Sequence, residues 1–227
     1  MLFLVLGKGK TGSLVADVAR ERGHGVRALE IHENRAASAL TAPTLAGVDV
    51  VIDFTNAESA MENMRAVLAL SSKIVVGTTG WYAQLDAMKT IAQRRGGSLL
   101  YGSNFSIGVQ KLFRLTAEVA QLDGYAFSIA ETHHESKLDA PSGTALTLKQ
   151  IIQSVRPEAE VPIASHRIGD AKGEHIVTAK SDVDILELRH DAASRRGFAL
   201  GAVRAAEWLA RQKQPGVWDF REIFDQL

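Results

Sequence analysis

Two stretches of the sequence carry residue types that chemistry needs, at spacings that chemistry uses. The first is Glu131-Thr132-His133-His134-Glu135-Ser136-Lys137-Leu138-Asp139-Ala140-Pro141-Ser142-Gly143-Thr144-Ala145. Imidazole titrates near neutral pH, so a histidine here donates or accepts a proton with little tuning. Lys137, four residues beyond His133, adds a second proton donor or a fixed positive charge. Ser142 is a natural N-cap, which leaves the N–H groups of Gly143 and Thr144 facing outward at a helix start, where carboxylates bind. The combination reads as an acid catalyst beside an anion cradle. The same residues also fit a polar strand edge followed by a plain helix start. Zinc on His133, His134 and a nearby carboxylate is a further reading. Consecutive strand residues point to opposite faces, however, and the expectation is no metal.

The second stretch is Gly7, Gly9 and Gly12, a G-x-G-x-x-G pattern between an apolar run and a helical pattern. Glycines so placed permit a tight turn and let a pyrophosphate approach backbone N–H groups at the positive end of a helix. Lys8, Lys10 and Thr11 lie in the same loop, where the two lysines can meet a phosphate. Glu30 stands 18 residues after Gly12, at the end of the next apolar run. An acid there accepts hydrogen bonds from the adenosine ribose. The plain alternative is a structural turn and a solvated strand end.

The elements that must position these residues follow from periodicity. Leu2–Leu6, Val26–Leu29, Asp49–Phe54, Ile74–Val76 and Ser98–Tyr101 read as strands, with helices at Ala57–Leu70 and Tyr82–Arg94 and a first one that carries Leu14, Val15, Val18 and Ala19 on one face and stops at Gly23. Strands alternating with helices predict an α/β unit with a parallel sheet. Beyond Asn104 the character changes. Ile107–Leu122 reads as a helix, and Tyr125 to Ala130 alternates with period two. A helix from Gly143 to about Val155 follows, then strands at Val161–Ile168, His175–Lys180 and Asp184–His190, too close together for crossover helices. They predict antiparallel pairing or a mixed sheet. Ala199–Gln212 reads as a helix, and Trp218–Asp225 as a short terminal one.

Composition bounds the function. Of 227 residues, 46% are hydrophobic, enough for a sizeable core, and 26 basic residues balance 26 acidic ones. Zero net charge argues against nucleic acid or an anionic membrane as partner. With no cysteine, disulfides, thiolate nucleophiles and cysteine-held metal centres are excluded. Met1–Leu6 is too short for a signal peptide, and no apolar stretch approaches the roughly 20 residues that span a bilayer. The expectation is a soluble cytoplasmic protein.

The segment from Glu131 to Ala145 closely resembles the signature E-x-H-H-x-x-K-x-D-A-P-S-G-T-A of the dihydrodipicolinate (4-hydroxy-tetrahydrodipicolinate) reductases. Asp53-Phe54-Thr55, Gly77-Thr78-Thr79-Gly80, Asn104-Phe105-Ser106-Ile107-Gly108, Ala193-Ser194-Arg195, Phe198–Ala202 and Trp218-Asp219-Phe220 resemble further family motifs in the family's order. The resemblance implies NAD(P)H-dependent reduction of a cyclic dicarboxylate in lysine and diaminopimelate biosynthesis. His133 and Lys137 would be the proton donors, and His134, Gly143 and Thr144 would hold the substrate carboxylates, with Arg195 nearby. Gly77, Thr78, Thr79, Gly102, Ser103, Asn104 and Phe105 would line the nicotinamide side of the cofactor site. The implied fold is a Rossmann-like dinucleotide-binding domain, residues 1–104 completed by 196–227. A smaller α+β domain with a mixed sheet, residues 105–195, would bind substrate and make homotetramer contacts.

The chain departs from the family pattern in three places. Its glycine loop is one residue shorter than G-x-x-G-x-x-G, the stretch between Glu30 and Asp53 is short, and Ile31 stands where an arginine commonly follows the acid. A carboxylate repels the 2′-phosphate of NADPH, so a mild NADH preference is predicted, which Lys10, His32 or Arg35 would offset. Three other functions use parts of the same residues. A different pyridine-nucleotide reductase would share the glycine loop, a non-catalytic nucleotide sensor would need only the glycines and Glu30, and a zinc hydrolase would respond to chelator.

Overall fold

The apolar run Leu2–Leu6 forms β1, and the glycine loop leads from it into α1 (Lys10–Glu21). There follow β2 (Gly25–Leu29), a short α2 (Ala42–Leu45), β3 (Val50–Asp53), α3 (Ala57–Ala69), β4 (Lys73–Val76), α4 (Leu85–Arg95) and β5 (Ser98–Tyr101). Next come α5 (Ile107–Val119), β6 (Ala126–His133), α6 (Gly143–Val155), β7 (Ile163–Arg167), β8 (Glu174–Lys180) and β9 (Ile185–Asp191). The chain closes with α7 (Arg196–Arg211), β10 (Val217–Asp219) and α8 (Phe220–Ile223). This computed structural model describes all of residues 1–227, and they pack as two units, Met1–Ser106 with Arg196–Leu227, and Ile107–Arg195.

In the first unit six parallel strands run in the order β10-β5-β4-β3-β1-β2. Leu4, Leu6, Val51, Ile74 and Val76 meet Ala60, Met64, Val67 and Leu68 of α3 and Met88 and Ala92 of α4. Successive side chains alternate across a strand, which leaves Phe3, Val5, Ile52 and Val75 for the face covered by α1 and α7. The inner strands β1, β3, β4 and β5 are therefore covered on both faces and read as near-continuous apolar runs, whereas the edge strand β2 carries exposed Arg27. Full burial of each such side chain contributes about 1.5–3 kcal/mol. Lys73 extends from β4 to the end of α7, where its Nζ donates to the carbonyls of Leu209, Ala210 and Gln212 at 2.8–3.1 Å. It satisfies acceptors that a helix end otherwise leaves open. The strand order reverses at β1, with β2 on one side and β3 on the other, and such a reversal opens a crevice at the carboxyl ends of the strands.

The second unit has four strands in the order β7-β6-β8-β9, with β6 parallel to β7 and antiparallel to β8, and β8 antiparallel to β9. The sheet is mixed because α6 supplies one crossover, between β6 and β7, while the β8–β9 connection is a tight turn. There Ser181 Oγ donates to Asp184 Oδ1 at 2.8 Å. Val109, Leu112 and Phe113 of α5 and Ala145, Leu148 and Ile152 of α6 pack on Phe127, Ile129, Val177 and Ala179. Both helices thus cover the same face of this sheet.

Three sequence expectations change. Trp218 and Asp219, read as helical, belong to β10, which pairs with β5 and completes the parallel sheet, and helix begins only at Phe220, capped by Asp219. A three-residue strand is too short to show a period, and its partner lies more than a hundred residues earlier. Tyr82–Gln84 is a 3₁₀ turn that precedes α4 instead of its first turn. Between Glu30 and Val50, where no element was read, lie 3₁₀ turns at Ile31–Glu33 and Arg35–Ala37 and the short α2.

Candidate active site

In the first unit the three glycines have three separate physical reasons. Gly7 has φ +90°, and a Cβ there would lie 2.4 Å from the Phe54 carbonyl oxygen. Gly12 sits in the first turn of α1 with the Gly7 carbonyl oxygen 1.9 Å from the position of a Cβ, so only glycine lets helix and loop approach. Gly9 has ordinary angles and open space where its Cβ would be, and no side chain caps the helix it begins. The first-turn N–H groups at Lys10, Thr11 and Gly12 are therefore not covered by a cap, as phosphate binding at a helix start requires. A cavity of about 540 Å³ opens beside this loop, lined by Gly7, Lys8, Gly9, Glu30, Ile31, His32, Arg35, Phe54 and Thr55. Its size and its donors fit a dinucleotide.

The acid predicted for the ribose stands at that cavity and already has partners. Glu30 and Glu33 form a reciprocal cap on the 3₁₀ turn, the Glu30 N–H donating to Glu33 Oε2 at 2.6 Å. Lys8, expected at a phosphate, lies 3.5 Å from Glu30 and 3.4 Å from Glu33, and His32 Nδ1 is 3.1 Å from Glu30 Oε2.

Beside the crevice, Gly77 faces the ring of Phe54, which a Cβ would meet at 2.2 Å. Gly102 faces Phe220, and Phe105 is buried between Phe54 and Phe220, with ring centroids 6.2 and 4.5 Å away. Thr79 and Ser103 are exposed, and Asn104 accepts the Ser106 N–H. Thr78 is buried and donates to Asp53 Oδ1 at 2.7 Å. Asp53, at the end of β3, also accepts from Thr55 N, Thr55 Oγ1 and Asn63 Nδ2. Burial pushes its carboxyl up and these four donors oppose the push. Asn63 in turn accepts from Asn34, which accepts the Ala39 N–H. This network fixes the loops after β3 and β4 to the segment beside the cavity. The sequence offered only a motif match for Asp53 and no sign that Asn63 would donate to it or that Asn34 would hold Asn63.

In the second unit the chemistry lies on the buried face of the sheet, beyond the helices. Phe127, Ile129, Glu131 and His133 share that face by the two-residue period of β6. Strand register sets Glu131 beside Ser165 of β7 and His175 of β8, and His175 beside His190 of β9, with His133 beside Arg167. Glu131 is fully buried in its side chain. Both of its oxygens accept the Ser142 N–H at 3.1 Å, and Arg167 Nη2 lies 3.3 Å from Oε1. Burial pushes the Glu131 carboxyl up, but the hydrogen bonds from Ser142 and the charge of His133 outweigh it and leave it below its usual range.

His133 is 8% exposed, and its Nδ1 has no hydrogen-bond partner, the carboxylate of Glu131 standing 3.6 Å away. Burial lowers this imidazole, Glu131 and Asp139 oppose the shift, and Lys137 and Arg167 add to it. Gly173 (φ +135°) leaves room for the ring, since a Cβ there would lie 3.3 Å from His133 Nε2. Lys137 is held by Asp139 at 2.6 Å. His134 follows the end of β6 and its Nδ1 contacts Ser136 Oγ at 2.7 Å. Ser142 caps α6 by accepting the Ala145 N–H, Gly143 is exposed with open space around it, and Thr144 is buried. Arg195 is half-buried near Asp170, whose carboxyl is lowered first by the hydrogen bond from Lys172 and also by Arg195. The fold thus brings His133, Lys137 and the head of α6 around Glu131. Glu131, Arg167 and His175, which no residue-by-residue reading singled out, hold that arrangement. Strand register reveals Arg167 and His175, whereas Glu131 follows from the two-residue period of β6.

Glu131, His133 and His175 offer nitrogen and oxygen atoms within 4.8 Å of one another. These are not the adjacent histidines the sequence suggested for zinc. The Arg167 guanidinium lies 3.3 Å from Glu131 Oε1, so this carboxylate already has a cationic partner.

Residues 2–105 match the family model described as dihydrodipicolinate reductase, N-terminus, and residues 108–224 match dihydrodipicolinate reductase, C-terminus. The 4-hydroxy-tetrahydrodipicolinate reductase of Christiangramia forsetii is 33% identical, with 100% of this chain and 99% of that relative covered. The enzyme of the same name from Natronomonas pharaonis is 37% identical over 94% of this chain and 96% of its own. Among solved structures, dipicolinate-bound dihydrodipicolinate reductase from Paenisporosarcina sp. TG-14 shares the fold, with a TM-score of 0.78 and 24% identity over 98% of this chain and 99% of that one.

Proposed function

Because the chain belongs to the dihydrodipicolinate reductase family, we propose that it reduces 4-hydroxy-tetrahydrodipicolinate to tetrahydrodipicolinate, with loss of water, in lysine and diaminopimelate biosynthesis. The observation that carries this reading is the junction of a buried imidazole, His133, with the capped helix start at Ser142 through one carboxylate, Glu131.

The glycine loop with Lys8, Lys10 and Thr11, and Glu30 across the cavity, hold the pyrophosphate and the adenosine ribose. Gly77, Thr78, Thr79, Gly102, Ser103, Asn104 and Phe105 line the nicotinamide side. When bound there, the reduced nicotinamide supplies a hydride. His133 delivers the proton that the reduced ring requires, and Lys137 is the second proton donor. His134 and the Gly143 and Thr144 N–H groups hold the two carboxylates, with Arg195 nearby. The Paenisporosarcina enzyme was solved with dipicolinate, itself a dicarboxylate, which supports this substrate class.

Glu30 followed by Ile31 gives a mild preference for NADH over NADPH, limited by His32 and Arg35 at the same cavity. The sheet face opposite α5 and α6 carries Ser128, Ala130, Thr132, Ile176 and Thr178, all half-buried, and Ile185 nearby is 60% exposed. It is the contact surface of a homotetramer. No helix is long and apolar enough to cross a membrane, and the enzyme works in the cytoplasm, where reduced dinucleotide is made.

The test is a coupled assay in which the condensation product of pyruvate and aspartate semialdehyde forms in situ while NADH and NADPH oxidation are followed in parallel. We expect turnover with both and a kcat/KM ratio modestly favouring NADH. A folded protein that binds NADH and turns over neither would overturn the reductase reading in favour of a nucleotide sensor.

A further inference from the structure

We propose that Glu131 is a positioning residue for the reduction: its buried carboxylate sets the orientation and tautomer of His133, anchors the head of α6, and through Arg167 ties down the loop that carries Lys137. The inference rests on the reductase reading and assigns a residue that does not touch substrate. Four observations carry it. Glu131 has no exposed side-chain surface, so its charge acts only on its neighbours. Each neighbour belongs to a different part of the site. Oε1 and Oε2 accept the N–H of Ser142 at 3.1 Å, immediately before the α6 N–H groups that meet carboxylate. Arg167, 3.3 Å from Oε1, donates to the carbonyls of Lys137 and Asp139 and so fixes the loop between His134 and Pro141. Finally, Nδ1 of His133 is buried without a partner and faces Glu131 Oε2 at 3.6 Å. A buried N–H needs an acceptor, and catalytic hydrogen bonds that are long in the free enzyme tighten when substrate binds.

The consequence is a defined proton path. With Nδ1–H directed at Glu131, the other nitrogen, Nε2, is the one that exchanges a proton with substrate. Gly173 leaves room there that a Cβ would narrow to 3.3 Å. The charged and titratable groups around His133 are Glu131, Lys137, Arg167, Asp139 and His175. Of these, Glu131 is the anion held against the ring by the fold, whereas Asp139 is paired with Lys137. His175 packs edge-on to His133 with ring centroids 5.0 Å apart and is pushed down by burial, and by the charge of His133, to about 3, so it remains neutral.

Glu131→Gln tests the charge while keeping an acceptor for the Ser142 N–H. In ¹⁵N-histidine-labelled protein, with His133 assigned by its loss in His133→Asn, neutral His133 of the unmodified chain should be the Nδ1–H tautomer. In Glu131→Gln its titration midpoint should fall by about one pH unit, a tenfold loss of protonated imidazole above the midpoint. The basic limb of the kcat profile should move down with it, while KM for the dicarboxylate changes by less than about threefold. An Nε2–H tautomer in the unmodified protein overturns the proposal without any variant. An unmoved midpoint in folded Glu131→Gln overturns it as well. Absence of turnover in the unmodified enzyme would instead overturn the reductase reading, and the two NMR results would still decide whether Glu131 orients His133.

Discussion

The glycine loop of the first unit and the Glu131 row of the second are the two places where hydrogen-bonding and charged groups converge, and they are built by opposite means. The loop works through backbone: Gly7, Gly9 and Gly12 act by lacking a Cβ, and the groups they present are peptide N–H donors. The Glu131 row works through side chains from β6, β7 and β8 together with the head of α6, aligned by strand register. A backbone site is local in sequence, so it is robust to changes elsewhere and sensitive to one added methyl. A side-chain site gathers charge from distant segments, so its properties depend on each member's burial and on its neighbours.

The largest effect should come from His133→Ala. Loss of a positioned general acid is worth about 10²–10⁴ in kcat, or ~3–5 kcal/mol of barrier. Because the imidazole is depressed by burial and must be protonated to act, kcat/KM of the intact enzyme should fall as pH rises through a midpoint below the ordinary histidine value. A variant within tenfold of the parent would move the acid role to another group and leave the Glu131 row a packing feature.

The loop offers a sharper contrast between two glycines. Gly12→Ala drives a methyl into the Gly7 carbonyl and should cost about 3 kcal/mol of stability, read as a lowered urea midpoint. Gly9→Ala adds a methyl in open space, so its midpoint should not move, yet the methyl stands where a pyrophosphate approaches and should weaken NADH binding by about tenfold. If both alanines acted on stability alone, the loop would be a turn and nothing more.

The smallest effect lies in acid stability. His175 takes a proton near 3 in the folded chain because burial disfavours its charge, with His133 adding to the shift, but near 6.5 when unfolded. Its contribution is therefore complete above the unfolded value and is lost as pH falls. Between pH 6.5 and 5 the parent should lose about 1–2 kcal/mol more than His175→Gln, measured by urea unfolding at both pH values. Parallel losses in the two proteins would show that His175 is hydrated or that Glu131 lets it charge.

Much of the fold was legible because its signals are local. Apolar runs and helical periods mark β1 to β5 and α1, α3, α4, α5 and α6, since burial selects residue types along one short segment at a time. The strand at Val217–Asp219 was not legible, because three residues carry no period and the pairing with Leu99–Tyr101 is a matter of tertiary proximity. The same holds for the ion cluster at Glu30. The sequence shows an acid at a strand end, but its capping of Glu33 and its pairing with Lys8 and His32 depend on a 3₁₀ turn that no pattern announced.

By itself the sequence determined the α/β class, the glycine loop and the His133-to-Ala145 segment, because steric freedom of glycine, helix capping and hydrophobic period act within a few residues of chain. Only the tertiary structure decided what surrounds His133. Arg167 and His175 reach it from neighbouring strands whose alignment with β6 is set by long-range pairing, and Glu131 joins them from two residues earlier on the same strand as His133. The charge of an imidazole is governed by the dielectric and the ions within a few ångströms, whatever their distance along the chain.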